Sequence, residues 1–188
     1  MKALAISDRR GLERYAALQA YYSLVARELE WELVPLCLDQ RVGILVWSPL
    51  AGGWLTGKFR RGQPPPEGAR TARNGAPGGL PDEEQAFDIV DALVDIAAGR
   101  GASPAQVALA WVMGRPGVTS AIVGARNEEQ LADTLAAADL ALDPEERARL
   151  ERVSAVRLPY PQWHQLRFNT ARLDEPWMHA ARPEAPPA

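Results

Sequence analysis

Residues Gly43 to Phe59 read GILVWSPLAGGWLTGKF, a short apolar run that passes directly into a glycine-rich loop. A continuous apolar run such as Ile44 to Trp47 is typical of a parallel strand that is buried on both faces. In parallel α/β folds, ligands bind in the loops beyond the carboxyl ends of such strands. The stretch therefore predicts a buried strand followed by a candidate binding loop.

Two further apolar runs predict strands on either side of this one in the sequence. Ala16 to Tyr21 precedes it, and Val118 to Val123 follows much later and ends at Gly124. Helices are predicted between and after these strands, and alternating strands and helices specify a parallel sheet. The predicted fold class is therefore α/β, with three visible strands and no internal repeat.

Cap residues locate most of the helices. Ser103, followed by a proline and by Gln106 three positions on, has the pattern of a capping box. Similar start signals occur at three other positions, Asp82, Asn127 and Asp143. A further helix is predicted from about Trp31 to Gln40, where Pro35 is tolerated only if it lies in the first turn.

The chain is predicted to form one unit over residues 1–157. Within it, residues from about 60 to 81 are dense in proline, glycine and arginine without periodicity, which indicates a long mobile loop. Residues 158–188 carry several prolines and aromatics, and we expect a loop or tail laid over the rest. The apolar face of the helix after Asn127 includes three residues, Leu131, Leu135 and Ala138.

Composition excludes several classes of partner. The 188 residues are 47% hydrophobic and 24% charged, with a net charge of -3 and no basic block, so nothing indicates binding to nucleic acid or to an anionic membrane. The apolar runs fall far short of the roughly 20 residues that a membrane span needs. The early charges of the N-terminus do not fit a secretory signal, and the single cysteine, Cys37, lacks the partners of a disulfide or a zinc site. We expect a cytoplasmic protein without a bound metal.

The loop after Trp47 partly fits the motif of a nucleotide-phosphate loop. Gly52, four residues, Gly57 and Lys58 have the right spacing, but Phe59 stands where a serine or threonine should hold magnesium. Arginines and prolines follow, whereas a phosphate loop should enter a helix. The sequence therefore argues against a magnesium-dependent phosphate loop.

The segment IVGARNEEQL ends the third predicted strand and enters a capped helix. Free amides and the helix dipole favour an anion at such a helix start, and Arg126 is placed to form a bidentate pair with a phosphate. The alternative is that Arg126 is a solvated surface arginine and Gly124 only a turn residue. Local physics leaves both interpretations open.

Four segments occur in the order ALQAYYSL, VGILVWSPLAGGWLTGKF, ASPAQVALAWV and AIVGARNEEQLADTL. In this order and at these separations they resemble the C-terminal half of an aldo-keto reductase, over about Met1 to Trp163. The resemblance implies a partial (β/α)8 TIM barrel, containing about the last three strands with their helices. It also implies reduction of aldehydes and ketones with NADPH, which this family binds across the loops after its last two strands.

The resemblance assigns roles to residues of the first two predicted strands and of the loop after Trp47. Gln19 resembles the glutamine that hydrogen-bonds the nicotinamide amide, and Trp47 matches the aromatic position on which the nicotinamide ring stacks. Four residues match positions that line the pyrophosphate, and these are Ser48, Leu50, Gly53 and Lys58. The resemblance therefore implies a dinucleotide-phosphate loop that works without magnesium.

The second loop matches the segment around the adenosine 2'-phosphate and the adenine. Its matching residues are Gly124, Ala125, Arg126 and Gln130. Arg126 is the reason to expect NADPH in preference to NADH. Thr134 departs from the asparagine that is usual in the family, which puts the adenine contact at that position in question.

No catalytic residue is assigned. The resemblance places the family's aspartate, tyrosine, lysine and histidine in the first half of the barrel, before the point where this chain starts. Lys2 and Lys58 are the only lysines, and Tyr21 and Tyr22 belong to a strand motif. Proton donation to a carbonyl oxygen therefore has no candidate in this chain.

Three strands cannot close a barrel, and open sheet edges invite pairing with another chain. We therefore expect self-association or a complementing N-terminal half, with a small carbonyl substrate only in the completed barrel. The leading hypothesis is an NADPH-dependent reductase that is inert alone. The alternatives are a non-catalytic NADPH-binding or regulatory module and a degenerate remnant.

Overall fold

The computed structural model describes residues 1–64, 66, 80 and 82–168. Within these residues the strands are β1 Ala17–Tyr21, β2 Gly43–Trp47 and β3 Val118–Ile122. The helices are α1 Lys2–Arg10, α2 Leu29–Gln40, α3 Glu83–Arg100, α4 Pro104–Met113, α5 Glu128–Ala136, α6 Pro144–Val153 and α7 Gln162–Phe168, with 3-10 turns at Ala51–Thr56 and Ala137–Asp139. Most of the predicted mobile loop (65, 67–79 and 81) and of the predicted tail (169–188) lies outside the described residues.

The sheet is parallel, in the order β1-β2-β3, which confirms the α/β class and the three predicted strands. Within the described residues the sheet has three strands and stays open. The pairing of β2 with β3 is irregular between Ile44 and Leu45, because Thr119 is an extra residue on β3. A Cβ at Gly43 would lie 2.6 Å from Thr119 Oγ1, so this position needs glycine.

Helices cover one face of the sheet. Ile44 and Val46 on β2 are fully buried against a core to which α2, α3 and α4 contribute. Alternation along the strands places a second set of side chains on the opposite face. This set, which we call the inner face, consists of Gln19, Tyr21, Leu45, Trp47, Ser120 and Ile122. The inner face is partly exposed, with Trp47 at 37% and Ile122 at 44% of full exposure.

The predicted helix starts are confirmed. Ser103 with Gln106 and Asp143 with Glu146 form reciprocal capping boxes. Asp82 and Asn127 accept from the backbone amide three residues on, at the starts of α3 and α5. These caps satisfy amides that have no partner inside the helix, which is why local sequence located the starts.

The expectation for Pro35 is wrong. The helix that contains it begins at Leu29, so Pro35 is the seventh helical residue and lies outside the first turn. Proline removes one backbone donor at this point. Leu29 and Cys37 are buried on either side of Pro35, and their packing holds the helix together through it.

Two apolar surfaces are exposed in the described part of the chain. On α5, Leu131 and Leu135 are exposed, because no described residue packs over that face. The described part of the tail contains the helix α7 where a covering loop was expected. Its Trp163 and Phe168 are exposed, and the aromatic rings of this segment contact one another.

A buried polar network lies between the helices. Tyr22 Oη donates to Glu30 Oε1 at 2.5 Å, and Arg27 donates to both oxygens of Glu30 at 2.9 Å. Arg115 Nε donates to Tyr22 Oη at 3.1 Å. The network therefore ties the residues after β1 to the segment that precedes β3.

The same two arginines extend the network to α6 and to the core. Arg115 pairs with Glu151, and Arg27 Nη1 donates to Ser154 Oγ at 2.8 Å. Both guanidinium groups lie against the ring of Trp111, at 5.3 Å for Arg27 and 4.9 Å for Arg115. Paired charges and a desolvated cation–π contact satisfy groups whose burial would otherwise be costly.

Burial and charge shift the pKa values in this network in opposite directions. Burial raises the pKa of Tyr22, so its phenol stays protonated and donates to Glu30. Burial would also raise the pKa of Glu30, but hydrogen bonds and charge from Arg27 and Arg115 outweigh it and lower that pKa below its ordinary value of 4.5. Glu30 therefore remains ionised in the folded chain.

The lowered pKa of Glu30 predicts acid sensitivity. Near pH 4.5 and below, the unfolded chain binds more protons at this carboxyl than the folded chain does. The stabilisation is therefore complete above pH 4.5 and is lost as the pH falls through the folded-state pKa. Glu30→Gln should cost about 3 kcal/mol at neutral pH, because the buried guanidinium of Arg27 loses its counter-charge and that of Arg115 keeps only Glu151.

Urea unfolding of the wild type and Glu30→Gln across acid and neutral pH tests this prediction. The difference in unfolding free energy between the two should shrink as the pH falls. Glu13→Gln, which changes an exposed carboxylate, is the control. A difference that stays constant with pH would contradict the assigned role of Glu30.

Candidate functional site

The carboxyl ends of the three strands meet at one edge of the sheet. Tyr21 lies opposite Trp47 in the register, and Trp47 lies opposite Ile122. The loops 48–58 and 123–127 therefore begin side by side, as ligand-binding loops do in parallel α/β folds. The structure brings the two predicted loops together at this edge.

Trp47 presents an aromatic surface at the edge. Its ring stacks on that of Tyr21 with centroids 4.7 Å apart and planes inclined by 23°. Gln19, two residues before Tyr21 on the same face, is exposed. Sequence analysis assigns no role to Tyr21, although strand alternation together with the register identifies it as the neighbour of Trp47.

The hydroxyl of Tyr21 is buried although its ring is half-buried. Tyr21 Oη and Ser23 Oγ are both buried without a partner at hydrogen-bond geometry in the described part of the chain. Burial raises the pKa of Tyr21, and the nearby Ser23 hydroxyl opposes this only in part. The phenol is therefore neutral at physiological pH and adds no negative charge to this edge.

The loop after Trp47 contains five residues with positive φ. Ser48 has φ 52° and Ala51 has φ 49°, and both are unusual for residues with a Cβ. Three glycines in the same loop also have positive φ, and these are Gly52, Gly53 and Gly57. Such conformations turn backbone amides toward one side and form concave sites for anions. Strain of this kind concentrates at ligand-binding sites.

The other predicted loop residues divide between core and solvent. Leu50 is partly buried and packs against the core, whereas Lys58 is exposed. Gly53 O accepts from Thr56 Oγ1 at 2.7 Å, which closes the 3-10 turn. Turns, and no helix, follow Gly57 as far as residue 64. This geometry agrees with the sequence argument against a magnesium-dependent phosphate loop.

Gly57 fixes how this loop sits on the helix layer. It has φ 78°, and a Cβ there would lie 2.8 Å from Pro104 Cγ at the first position of α4. The loop therefore packs directly on the start of α4. Both the backbone conformation and this contact require glycine.

In the second loop, residues 123–127, the Arg126 side chain is unpaired within the described residues. Gly124, Ala125 and Arg126 are exposed, and within the described ranges the Arg126 guanidinium has no hydrogen-bond or ion-pair partner. Gln130 Oε1 accepts from the Arg126 backbone amide at 3.1 Å, where a capping box would have it accept from Asn127. This contact orders the backbone at Arg126 and leaves its side chain available for a ligand.

The described ranges contain no cluster of histidine, cysteine and carboxylate side chains suited to a metal ion. None of the described helices is long and apolar enough to cross a membrane.

Comparison with known sequences now identifies the family. The model of the aldo/keto reductase family matches residues 2–155. The chain belongs to the aldo/keto reductase family. The sheet edge with Gln19, Trp47 and Arg126 is thus part of an aldo/keto reductase fold.

Individual relatives show how much of such a protein is present. An uncharacterized oxidoreductase, YrpG, of Bacillus subtilis is 36% identical over 145 residues, which is 77% of this chain and 42% of the relative. Versiconal hemiacetal acetate reductase of Aspergillus parasiticus is 32% identical, over 78% of this chain and 42% of that enzyme. A probable voltage-gated potassium channel subunit beta of Arabidopsis thaliana is 34% identical, over 74% and 43%. This aldo/keto reductase chain spans about two fifths of each.

The contact of Gly57 with α4 predicts a specific loss of stability. Gly57→Ala must both adopt a left-handed conformation and displace Pro104, so we expect it to lower the free energy of unfolding by about 3 kcal/mol. Gly62→Ala is the matched control, because Gly62 also has positive φ, 73°, but open space around it. The control should lose only about 1 kcal/mol.

Thermal and urea unfolding, followed by circular dichroism, measure both variants. Equal losses would show that the contact between the loop and Pro104 contributes nothing to stability.

Proposed function

We propose that this chain is the cofactor-binding part of an aldo/keto reductase barrel and binds NADPH across the loops 48–58 and 123–130. It contributes to the reduction of an aldehyde or ketone when a first half supplies the missing strands. One observation carries the proposal. The loop from Ser48 to Gly57, in which five residues have positive φ, begins at the carboxyl end of β2, directly after Trp47 with its exposed ring.

The inner face suits the nicotinamide end of the cofactor. Tyr21 backs Trp47 and restricts its ring, so the nicotinamide stacks on Trp47 as on a fixed platform. The side-chain amide of Gln19, exposed on the same face, holds the carboxamide. Together these side chains would set which face of the ring points toward a substrate.

The two loops suit the phosphates. Amides around Ser48 and Gly53, together with the exposed charge of Lys58, neutralise the pyrophosphate. The unpaired guanidinium of Arg126, at the start of α5, takes the 2'-phosphate, which NADH lacks. Gly124, Ala125 and Gln130 shape the backbone there.

The cofactor would supply a hydride, and this chain's residues would bind and orient it. Protonation of the carbonyl oxygen must come from elsewhere. The chain's two lysines, Lys2 and Lys58, are both exposed, and neither hydrogen-bonds a tyrosine within the described ranges. A second candidate function, a non-catalytic NADPH-binding module, is favoured by this lack of an activated tyrosine.

The exposed inner face supports completion by other strands. A parallel sheet is normally covered on both faces, and apolar side chains such as Leu45 and Ile122 lie on the uncovered one. Strands from an N-terminal half, or from a second copy, would cover them. A reducing compartment such as the cytoplasm suits the one cysteine, Cys37, which is buried and free.

Cofactor titration followed by tryptophan fluorescence tests the binding proposal. NADPH should quench saturably, and Trp47→Phe should remove most of the quenching. Arg126→Ala should weaken NADPH binding by about tenfold and NADH binding far less, because a charge-assisted hydrogen bond contributes about 1.5 kcal/mol or more. Arg152→Ala, an exposed arginine on α6, should change neither.

Absence of saturable binding by the soluble, folded chain would overturn the proposal and favour a degenerate remnant. Adding EDTA or magnesium should leave the NADPH affinity unchanged, because the loop has no magnesium ligand at Phe59. A requirement for magnesium would restore the phosphate-loop interpretation.

A complementation experiment distinguishes the two proposed functions, the reductase and the non-catalytic NADPH-binding module. The chain alone should show no carbonyl-dependent oxidation of NADPH. Mixing it with a separately expressed N-terminal half of the Bacillus subtilis relative should produce that oxidation, and Trp47→Phe should reduce it. NADPH binding without activity in any mixture would instead support the non-catalytic module.

A further inference from the structure

A cavity opens on the helix side of the sheet, away from the inner face. It has a volume of about 240 Å³ and lies between the end of α4 and the segment 137–142 that leads into α6. Four alanines leave this space because their side chains are short, and these are Ala110, Ala137, Ala138 and Ala141. Trp111 and Leu142 add larger apolar walls.

The guanidinium of Arg147 lies at the cavity. Arg147 lines it, is exposed, and donates from Nη2 to Leu142 O at 3.2 Å, which fixes the direction of its guanidinium. No carboxylate pairs with Arg147 in the described part of the chain. Other arginines of this layer are paired, such as Arg100 with Glu146 and Arg149 with Asp95.

A buried donor nearby also lacks a partner. Trp111 is 2% exposed, and its Nε1 has no acceptor among the described residues. A buried donor without an acceptor is rare in folded proteins and costs free energy. The apolar side chains that line the cavity and the cation of Arg147 together match a ligand with an apolar body and an oxygen anion.

We propose that this cavity binds a small monocarboxylate with an aromatic or branched apolar body. The carboxylate pairs with Arg147, and the body fills the space beside the four alanines. A water occupies about 30 Å³ of liquid, so 240 Å³ corresponds to about eight water-sized groups, which is the size of a small aromatic or branched monocarboxylate. The inference is independent of cofactor binding at the opposite side of the sheet.

Benzoate is the probe, titrated into the ¹⁵N-labelled full chain and followed by NMR. Amide signals of residues 110–114 and 137–142 should shift saturably. Benzamide tests the charge, and acetate tests the apolar body. Benzoate should bind at least about tenfold more tightly than either, since each lacks one of the two contributions.

Two variants test the contacts separately. Arg147→Gln should weaken benzoate about tenfold without affecting benzamide, whereas Ala138→Leu should fill the space and weaken both. Arg152→Gln, on the same helix but outside the cavity, is the matched control. These substitutions lie at exposed positions, and thermal unfolding verifies that each variant is folded.

Three results would overturn the proposal. If acetate bound as tightly as benzoate, the exposed arginine alone would account for anion binding, and the cavity would contribute nothing to the affinity. Unchanged benzoate affinity in both Arg147→Gln and Ala138→Leu would show that benzoate does not bind in the cavity. Shifts confined to signals outside residues 110–114 and 137–142 would show the same.

Discussion

A parallel sheet hides its apolar side chains only when both faces are covered, and in this chain helices cover one face. Ile44 and Val46 are fully buried on the helix side, whereas Trp47 and Ile122 are partly exposed on the inner face. Strand alternation makes this contrast unavoidable, because successive residues of β2 point to opposite faces. The uncovered surface therefore carries both the ring of Trp47, which is the proposed platform for a cofactor, and the apolar residues that further strands would bury. Under the proposed function, covering these apolar residues and enclosing the cofactor beside Trp47 would be one physical event.

The helix layer does not depend on that completion. Its buried polar network joins the residues after β1 to α2, to the segment before β3 and to α6, with Trp111 between the two guanidinium groups. Removing one member of such a network leaves an uncompensated buried charge, so the network favours a single arrangement of these helices. The sheet thus rests on a well-specified support even though its other face is open. A stable support of this kind allows the loops at the strand ends to hold strained conformations at Ser48 and Ala51.

Local sequence located the strands and helix starts because caps such as Ser103 and Asp143 act within four residues. It failed at Pro35, where tertiary packing decides the outcome. For the candidate site, local pattern identified both loops, and family resemblance supplied the individual roles. The stacking of Tyr21 on Trp47 needed the strand register, and the cavity beside Arg147 arises from alanines on separate segments. Neither follows from any short stretch of sequence.

Helix α4 connects the two proposed binding regions. Its first residue, Pro104, contacts the loop that would hold the pyrophosphate, and its last turn lines the cavity beside Arg147. Coupling between two sites requires an element with two arrangements that both ligands bias differently. Val107 and Ala108, in the middle of α4, are fully buried, and close packing resists a rotation or shift of the helix. Proximity to one helix is therefore insufficient for communication, and the packing of α4 favours independent binding of NADPH and carboxylate.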